Sequence, residues 1–311
     1  MTSDVLETKA PAPVRWTGFP ERGTLTSLQL IAWIATYIGR WAARVLLYPV
    51  TAYYVITASA ARRTSYEYLK QMHGYPPRWW HVFRHFLCFA ATILDRVYLL
   101  RGEFRRFEVK LHGKEILHHH MENGKGCMLL GSHLGSFEVL RALGVMQGKF
   151  PLKVLMDAHH NQNITRFLDA LNPVIAGTVI APDRVDTLLT VKESIDAGFF
   201  VGTLGDRVSN DGKTARCQFL GRSAAFPVGP IVLAAMTHRP VILFFGLYRG
   251  GNRYEIYFEH FADEIALDRD RRAEEIQLWM QRYAQRLEYY ARLAPYNWFN
   301  FYPYWDQVSP R

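Results

Sequence analysis

The hydrophobic pattern changes character near residue 100. From about Leu25 to Leu100, apolar residues recur at three- and four-residue spacing, with a break at Gly74–Pro77, which predicts helices. From Glu108 onward, short apolar runs alternate with amphipathic stretches. "FEVKLHG", "CMLLG", "LKVLM", "VIAGTVI", "FFVGTLG", "PVILFFGLYR" and "RYEIYFEHF" read as strands. Between them, "KEILHHHMENG", "SFEVLRALGVMQ" with Ser136 as N-cap, "NQNITRFLDALN", "VDTLLTVKESIDAG" and "GPIVLAAMTH" read as helices, and a long charged helix follows near Arg269–Leu293. Strands interleaved with helices predict an α/β fold, a mixed, mostly parallel sheet flanked by helices. The division expected is a loose polar lead-in (1–24), an N-terminal helical region (25–100) and an α/β domain (101–311). No internal repeat or low-complexity segment interrupts this order.

The run "LTSLQLIAWIATYIGRWAARVLLYPVTAYYVITASAARR" supports two readings. As a membrane-associated anchor over residues 25–61, it falls short of the ~20 clean apolar residues of a spanning helix, because Arg40 and Arg44 interrupt it and Pro49 kinks it. Trp41–Ala61 comes near that length if Arg44 snorkels, with Arg62-Arg63 marking the cytoplasmic side and Arg15 and Arg22 blurring the orientation. The other reading is a buried helix of a soluble domain.

Composition narrows the partners. Among 311 residues the net charge is +9 and 49% are hydrophobic, enough for a sizeable core and a preference for acidic partners such as anionic lipid or an acidic carrier protein. Nucleic acid is not expected, because the basic residues are scattered and no recognition motif appears. The aromatic fraction of 14% gathers toward the two chain ends, a distribution suited to a membrane interface. The three cysteines, Cys88, Cys127 and Cys217, are far apart, and Cys127 and Cys217 read as reduced core residues.

Two stretches carry candidate chemistry. In "CMLLGSHLGSFEVLRA" a buried strand empties into Gly131-Ser132-His133, and Glu138 follows five residues on. Open α/β sheets place sites where strands end and helices begin. His133 there suits a general base oriented by Glu138, provided Gly135 bends the chain; on one regular helix the two would point ~140° apart. The same spacing also arises by coincidence. The second stretch, "GTLGDRVSNDGKTARCQFLGRSAAFPVGP", brings Asp206 and Arg207 to another strand end on the same edge of the sheet. Arg207 there fits an anionic substrate group, with Asp206 holding it or a polar acceptor; a solvated loop ion pair is the bland alternative. His118-His119-His120 and His159-His160 read as solvated stretches. No HExxH, P-loop or GxGxxG pattern is present, and a histidine occupies the nucleophile position of "GSHLG", so zincin, nucleotide-binding and serine-hydrolase chemistry have no support.

The His-x4-Glu of His133 and Glu138 after a buried strand resembles the motif of the lysophospholipid acyltransferase superfamily. With "GDR" at 205–207, "FLG…FPVGP" at 219–230 and the ending "APYNWFNFYPYW", the chain is similar over nearly its whole length to the bacterial lipid A biosynthesis (late) acyltransferases. The resemblance implies a glycerolipid acyltransferase-like fold. It further implies acyl transfer from an acyl carrier protein or acyl-CoA thioester to a hydroxyl of a membrane lipid or glycolipid, at the cytoplasmic face of the inner membrane. By that analogy His133 is the base, Glu138 its partner and Asp206 a second functional aspartate, with no cofactor beyond the acyl-ACP or acyl-CoA co-substrate. The 205–230 neighbourhood departs from the lipid A enzymes, which leaves the acceptor open. A non-catalytic basic protein of membrane surfaces is the rival reading.

Overall fold

A computed structural model describes residues 37–305 apart from 123, 147–149, 157–171, 183 and 209–211. The lead-in, the first part of the apolar run, His159-His160 and all but the last residue of the helix expected over Asn161–Asn172 lie outside the described residues.

Among the described residues, seven strands form one sheet: β1 (Glu108–His112), β2 (Met128–Gly131), β3 (Leu152–Leu155), β4 (Val179–Ile180), β5 (Phe200–Leu204), β8 (Val241–Tyr248) and β9 (Arg253–Ala262). Their order is β1-β9-β8-β2-β5-β3-β4; β8 and β9 pair antiparallel and the rest parallel. The central strands are apolar throughout because both faces are covered. Cys127 and Leu129 point into one core with Phe200, Phe244 and Ile256, while Met128 and Leu130 point into the other with Val201, Phe245 and Tyr283. Among the described residues, six α-helices belong to the α/β part: α4 (Lys114–Glu122), α5 (Phe137–Met146), α6 (Pro173–Ala176), α7 (Thr187–Asp196), α8 (Gly229–Thr237) and α9 (Arg272–Leu293).

Two elements differ from expectation. "VIAGTVI" is not one strand: Pro173 opens the short helix α6, where its fixed φ and missing N–H are tolerated, and only Val179–Ile180 pair, at the sheet edge. The stretch after Arg207 is not a plain loop. Thr214–Phe219 (β6) and Arg222–Pro227 (β7) form an antiparallel hairpin whose turn, Leu220-Gly221, has φ 51° and 77°, the positive-φ pair of a type I′ turn. Ala215, Cys217 and Phe219 are buried while Thr214, Arg216 and Gln218 are exposed, a period of two that was present in the sequence.

Among the described residues, three α-helices precede the sheet: α1 (Arg40–Thr57), α2 (Ser59–His73) and α3 (Trp79–Leu100). Among the described residues no helix is long and apolar enough to cross a membrane. Arg44 does not snorkel. It reaches the fully buried Asp95 of α3 at 2.8 Å and the Tyr248 hydroxyl at 2.5 Å. Arg40 engages both Asp95 oxygens at 3.0 and 3.1 Å, and Tyr254 donates to the same carboxylate at 2.9 Å. The two arginines that break the apolar run therefore fasten α1 to α3 and to the sheet. Arg62 turns back to the α1 carbonyls of Val55 and Ile56 at 2.7 and 2.9 Å, closing the helix end.

Candidate active site

Register brings the two sequence candidates together. β2 and β5 are adjacent and parallel with Gly131 opposite Leu204, so two residues beyond the strands His133 stands beside Asp206. Gly131 admits no side chain, since a Cβ would strike the Phe244 ring. Gly135, at φ 74°, packs on the Gly246 backbone and donates its N–H to the Asn297 carbonyl at 2.7 Å, which sets the bend into α5.

The partner of His133 is Asp206. Its Nδ1 lies 2.8 Å from Asp206 Oδ1, and its backbone N–H meets both carboxylate oxygens at 3.1 and 3.0 Å. Asp206 is 1% exposed, while the His133 side chain is 29% exposed. A carboxylate beneath and an imidazole edge above is the layout of an oriented base. With Nδ1–H donating to the carboxylate, Nε2 carries the lone pair. Burial and then the Arg207 charge lower the imidazole below its ordinary pKa, against the pull of Asp206. Burial would raise the Asp206 carboxyl, but His133, Arg207 and the Trp298 indole outweigh it and hold the group below the usual carboxylate value. At neutral pH the pair is thus a neutral imidazole on an ionised carboxylate.

Glu138 sits elsewhere. Its carboxylate on the first turn of α5 is bound by Arg96 of α3, with Arg141 at 3.8 Å. Burial would raise this carboxyl, but the two guanidiniums hold it below its ordinary value. The expectation that Glu138 turns toward the imidazole is corrected in this structure: Arg96 across the α3–α5 contact, with Arg141 one turn on along α5, outcompetes a neutral ring for a buried carboxylate. Asp206 likewise lies under His133 with its oxygens already used by this chain, rather than facing out to a substrate. Arg207 stands beside the pair and donates to the Phe299 carbonyl at 2.8 Å.

The wall opposite comes from the aromatic C-terminal segment. Phe299 N–H donates to the His133 carbonyl at 3.0 Å, and the Trp298 indole donates to Asp206 Oδ2 at 2.9 Å. The amides of Gly135 and Ser136, at the bend before α5, are committed to the carbonyls of Asn297 and Gly246. Sequence reasoning missed Trp298 and Arg96 as site residues. For Arg96 the signal was Asp95-Arg96 set in the apolar second half of its helix; for Trp298 no local pattern points to Asp206.

The profile of the bacterial lipid A biosynthesis acyltransferases matches residues 97–307, well over half of the chain. The chain belongs to that family. The match holds the sheet, His133, Glu138, Asp206 and the aromatic ending, and it begins near the end of α3, so α1 and α2 precede it. No individual curated protein matches the sequence. Membership in that family supports acyltransferase activity.

Proposed function

We propose that the protein moves a fatty acyl chain from an acyl carrier protein or acyl-CoA thioester to a hydroxyl of a membrane lipid or glycolipid, with His133 as general base. The observation that carries this reading is the part-exposed imidazole whose Nδ1 is tied to the buried Asp206 carboxylate. A hydroxyl is a poor nucleophile at neutral pH. As its oxygen bonds the thioester carbonyl carbon, its proton passes to His133 Nε2. Collapse of the tetrahedral adduct breaks the C–S bond, and the imidazolium returns its proton to the departing thiolate. Asp206 holds the tautomer and steadies the imidazolium, and the nearby Arg207 and Arg96 charges favour the oxyanion. The step as written uses only the thioester as co-substrate.

A membrane-facing surface supports a lipid acceptor. On α1, Ala43, Leu47 and Thr51 are buried, while Trp41, Val45, Tyr48 and Ile56 are exposed. Phe83 of α3 joins Tyr48 to the exposed Trp79, with both ring pairs at 6.3 Å, so the patch is continuous across two helices. Exposed Arg78 and Arg84 lie on or beside α3. Aromatic rings beside arginines fit an interfacial mode on anionic lipid, at the cytoplasmic face of a bacterial inner membrane. In a flotation experiment the full-length protein is expected to rise with vesicles containing an anionic phospholipid. A Trp41→Ser/Trp79→Ser double variant should bind more weakly; protein that stays at the bottom of the gradient at physiological salt rules out this surface.

The test of activity is transfer itself. Full-length protein, incubated with a membrane lipid extract and radiolabelled acyl carrier protein or acyl-CoA, is expected to place label in an alkali-labile lipid ester. Vesicle binding without any labelled lipid from either donor favours the non-catalytic surface binder instead.

A further inference from the structure

The hydrogen bonds that reach His133 begin outside the sheet, in the N-terminal helices. Ser65 of α2 lies 2.8 Å from His85 Nδ1, and His85 Nε2 lies 2.9 Å from the Trp298 carbonyl; both side chains are fully buried. Burial pushes the His85 imidazole down to about 4, so the ring is neutral and one nitrogen donates while the other accepts. A carbonyl only accepts, which puts the hydrogen on Nε2 and leaves Nδ1 to take the Ser65 hydroxyl. From Trp298 the chain continues through the indole to Asp206 Oδ2 and from Oδ1 to His133 Nδ1.

We propose that Trp298 is a positioning residue of the acyl-transfer centre: its indole N–H fixes the Asp206 carboxylate, and Ser65 and His85 hold the tryptophan in place. The proposal rests on the reading of His133 as general base. It does not follow from that reading, which needs only a carboxylate near the imidazole.

Among the described contacts, Oδ1 takes the imidazole while both oxygens take the His133 amide, and the indole is the side-chain donor to Oδ2. Loss of that donor leaves a buried carboxylate oxygen with a single shared amide and a lower barrier to rotation about χ2. The indole is itself immobilised: Trp298 is fully buried with Tyr68, Phe219 and Tyr304 rings at 5.1, 5.0 and 4.8 Å. The charged and titratable groups around the carboxylate are His133, Arg207 and the buried tyrosines 283, 302 and 304. The tyrosines, all raised by burial, stay neutral at neutral pH. Among the described contacts, the neutral side chains that donate directly to Asp206 are the His133 imidazole at Oδ1 and the Trp298 indole at Oδ2.

Trp298→Phe keeps an aromatic ring and removes the N–H. In the full-length protein kcat is expected to fall about tenfold, as for a hydrogen bond to a charged group, with the KM for the thioester within about twofold of wild type. The acid limb of the kcat/KM profile should move to higher pH. The indole draws charge from Asp206, and without it the carboxylate stabilises the imidazolium more, so a neutral base requires higher pH. If the phenylalanine protein folds poorly, site-specific benzothienylalanine at 298 retains the bicyclic shape and lacks the N–H; the same results are expected. Wild-type kcat and pH profile in either folded variant overturn the proposal, as does a loss equal at every pH that tracks a lower Tm. Wild-type transfer by His133→Ala sinks the base reading, and the proposal with it.

Discussion

His133→Ala is expected to lower the kcat of acyl transfer by roughly 10²–10⁴-fold while the protein still folds and binds vesicles, the usual effect of removing a general base. The side chain is part-exposed, and Asp206 keeps the residue-133 amide and the Trp298 indole as donors when the imidazole is lost, so the fold is expected to persist. Asp206→Asn should fall in the same range for a different reason. Asparagine keeps the shape and still accepts from the His133 amide, but it can turn its amide N–H toward Nδ1. The imidazole then carries its proton on Nε2 and presents no lone pair to the hydroxyl. Steady-state kinetics with a saturating thioester donor reads both. A kcat within about threefold of wild type for His133→Ala is incompatible with a base at that position.

Glu138→Ala is expected to act through stability. It strips Arg96 and the 4%-exposed Arg141 side chain of a buried carboxylate, and breaking such a pair costs about 3–5 kcal/mol. For a chain of this size that is a Tm lower by roughly 5–8 °C. Calorimetry gives the Tm, and kcat is then compared well below the transition. A Glu138→Ala protein with wild-type Tm and a kcat as low as that of His133→Ala would restore the dyad suggested by the five-residue spacing.

How much of this was legible in the sequence depends on which contacts are local. The strands β2, β5, β8 and β9 and the helices α5 and α7–α9 follow from apolar period and from punctuation by glycine and proline. The edge strand β4 was harder, because Pro173 makes a helical turn out of residues that look extended. The hairpin was overlooked although "TARCQF" alternates cleanly; glycines and charges around it read as a loop. The site divides in the same way. That His133 and Asp206 both leave strand ends on one edge was readable from each strand by itself. That their strands are neighbours in matching register was not, because strand order is set by crossovers that no local pattern encodes. Glu138, five residues away, looked the better partner, yet α3 brings Arg96 to it from 42 residues upstream. Nor did the apolar run beginning at Leu25 announce that Arg40 and Arg44 would meet a buried Asp95. A charged residue in an apolar stretch reads as a flaw in a membrane segment until its partner is seen.

The central claim is that His133 and Asp206 work as one base in acyl transfer. The most direct measurement is a double-mutant cycle on single-turnover transfer, comparing His133→Ala, Asp206→Asn and the double variant with wild type. If Asp206 acts only through the imidazole, the double variant is expected to be no more than about threefold slower than His133→Ala alone. Losses that multiply, so that Asp206→Asn costs as much without the imidazole as with it, would show that the two side chains do separate work and would contradict the account.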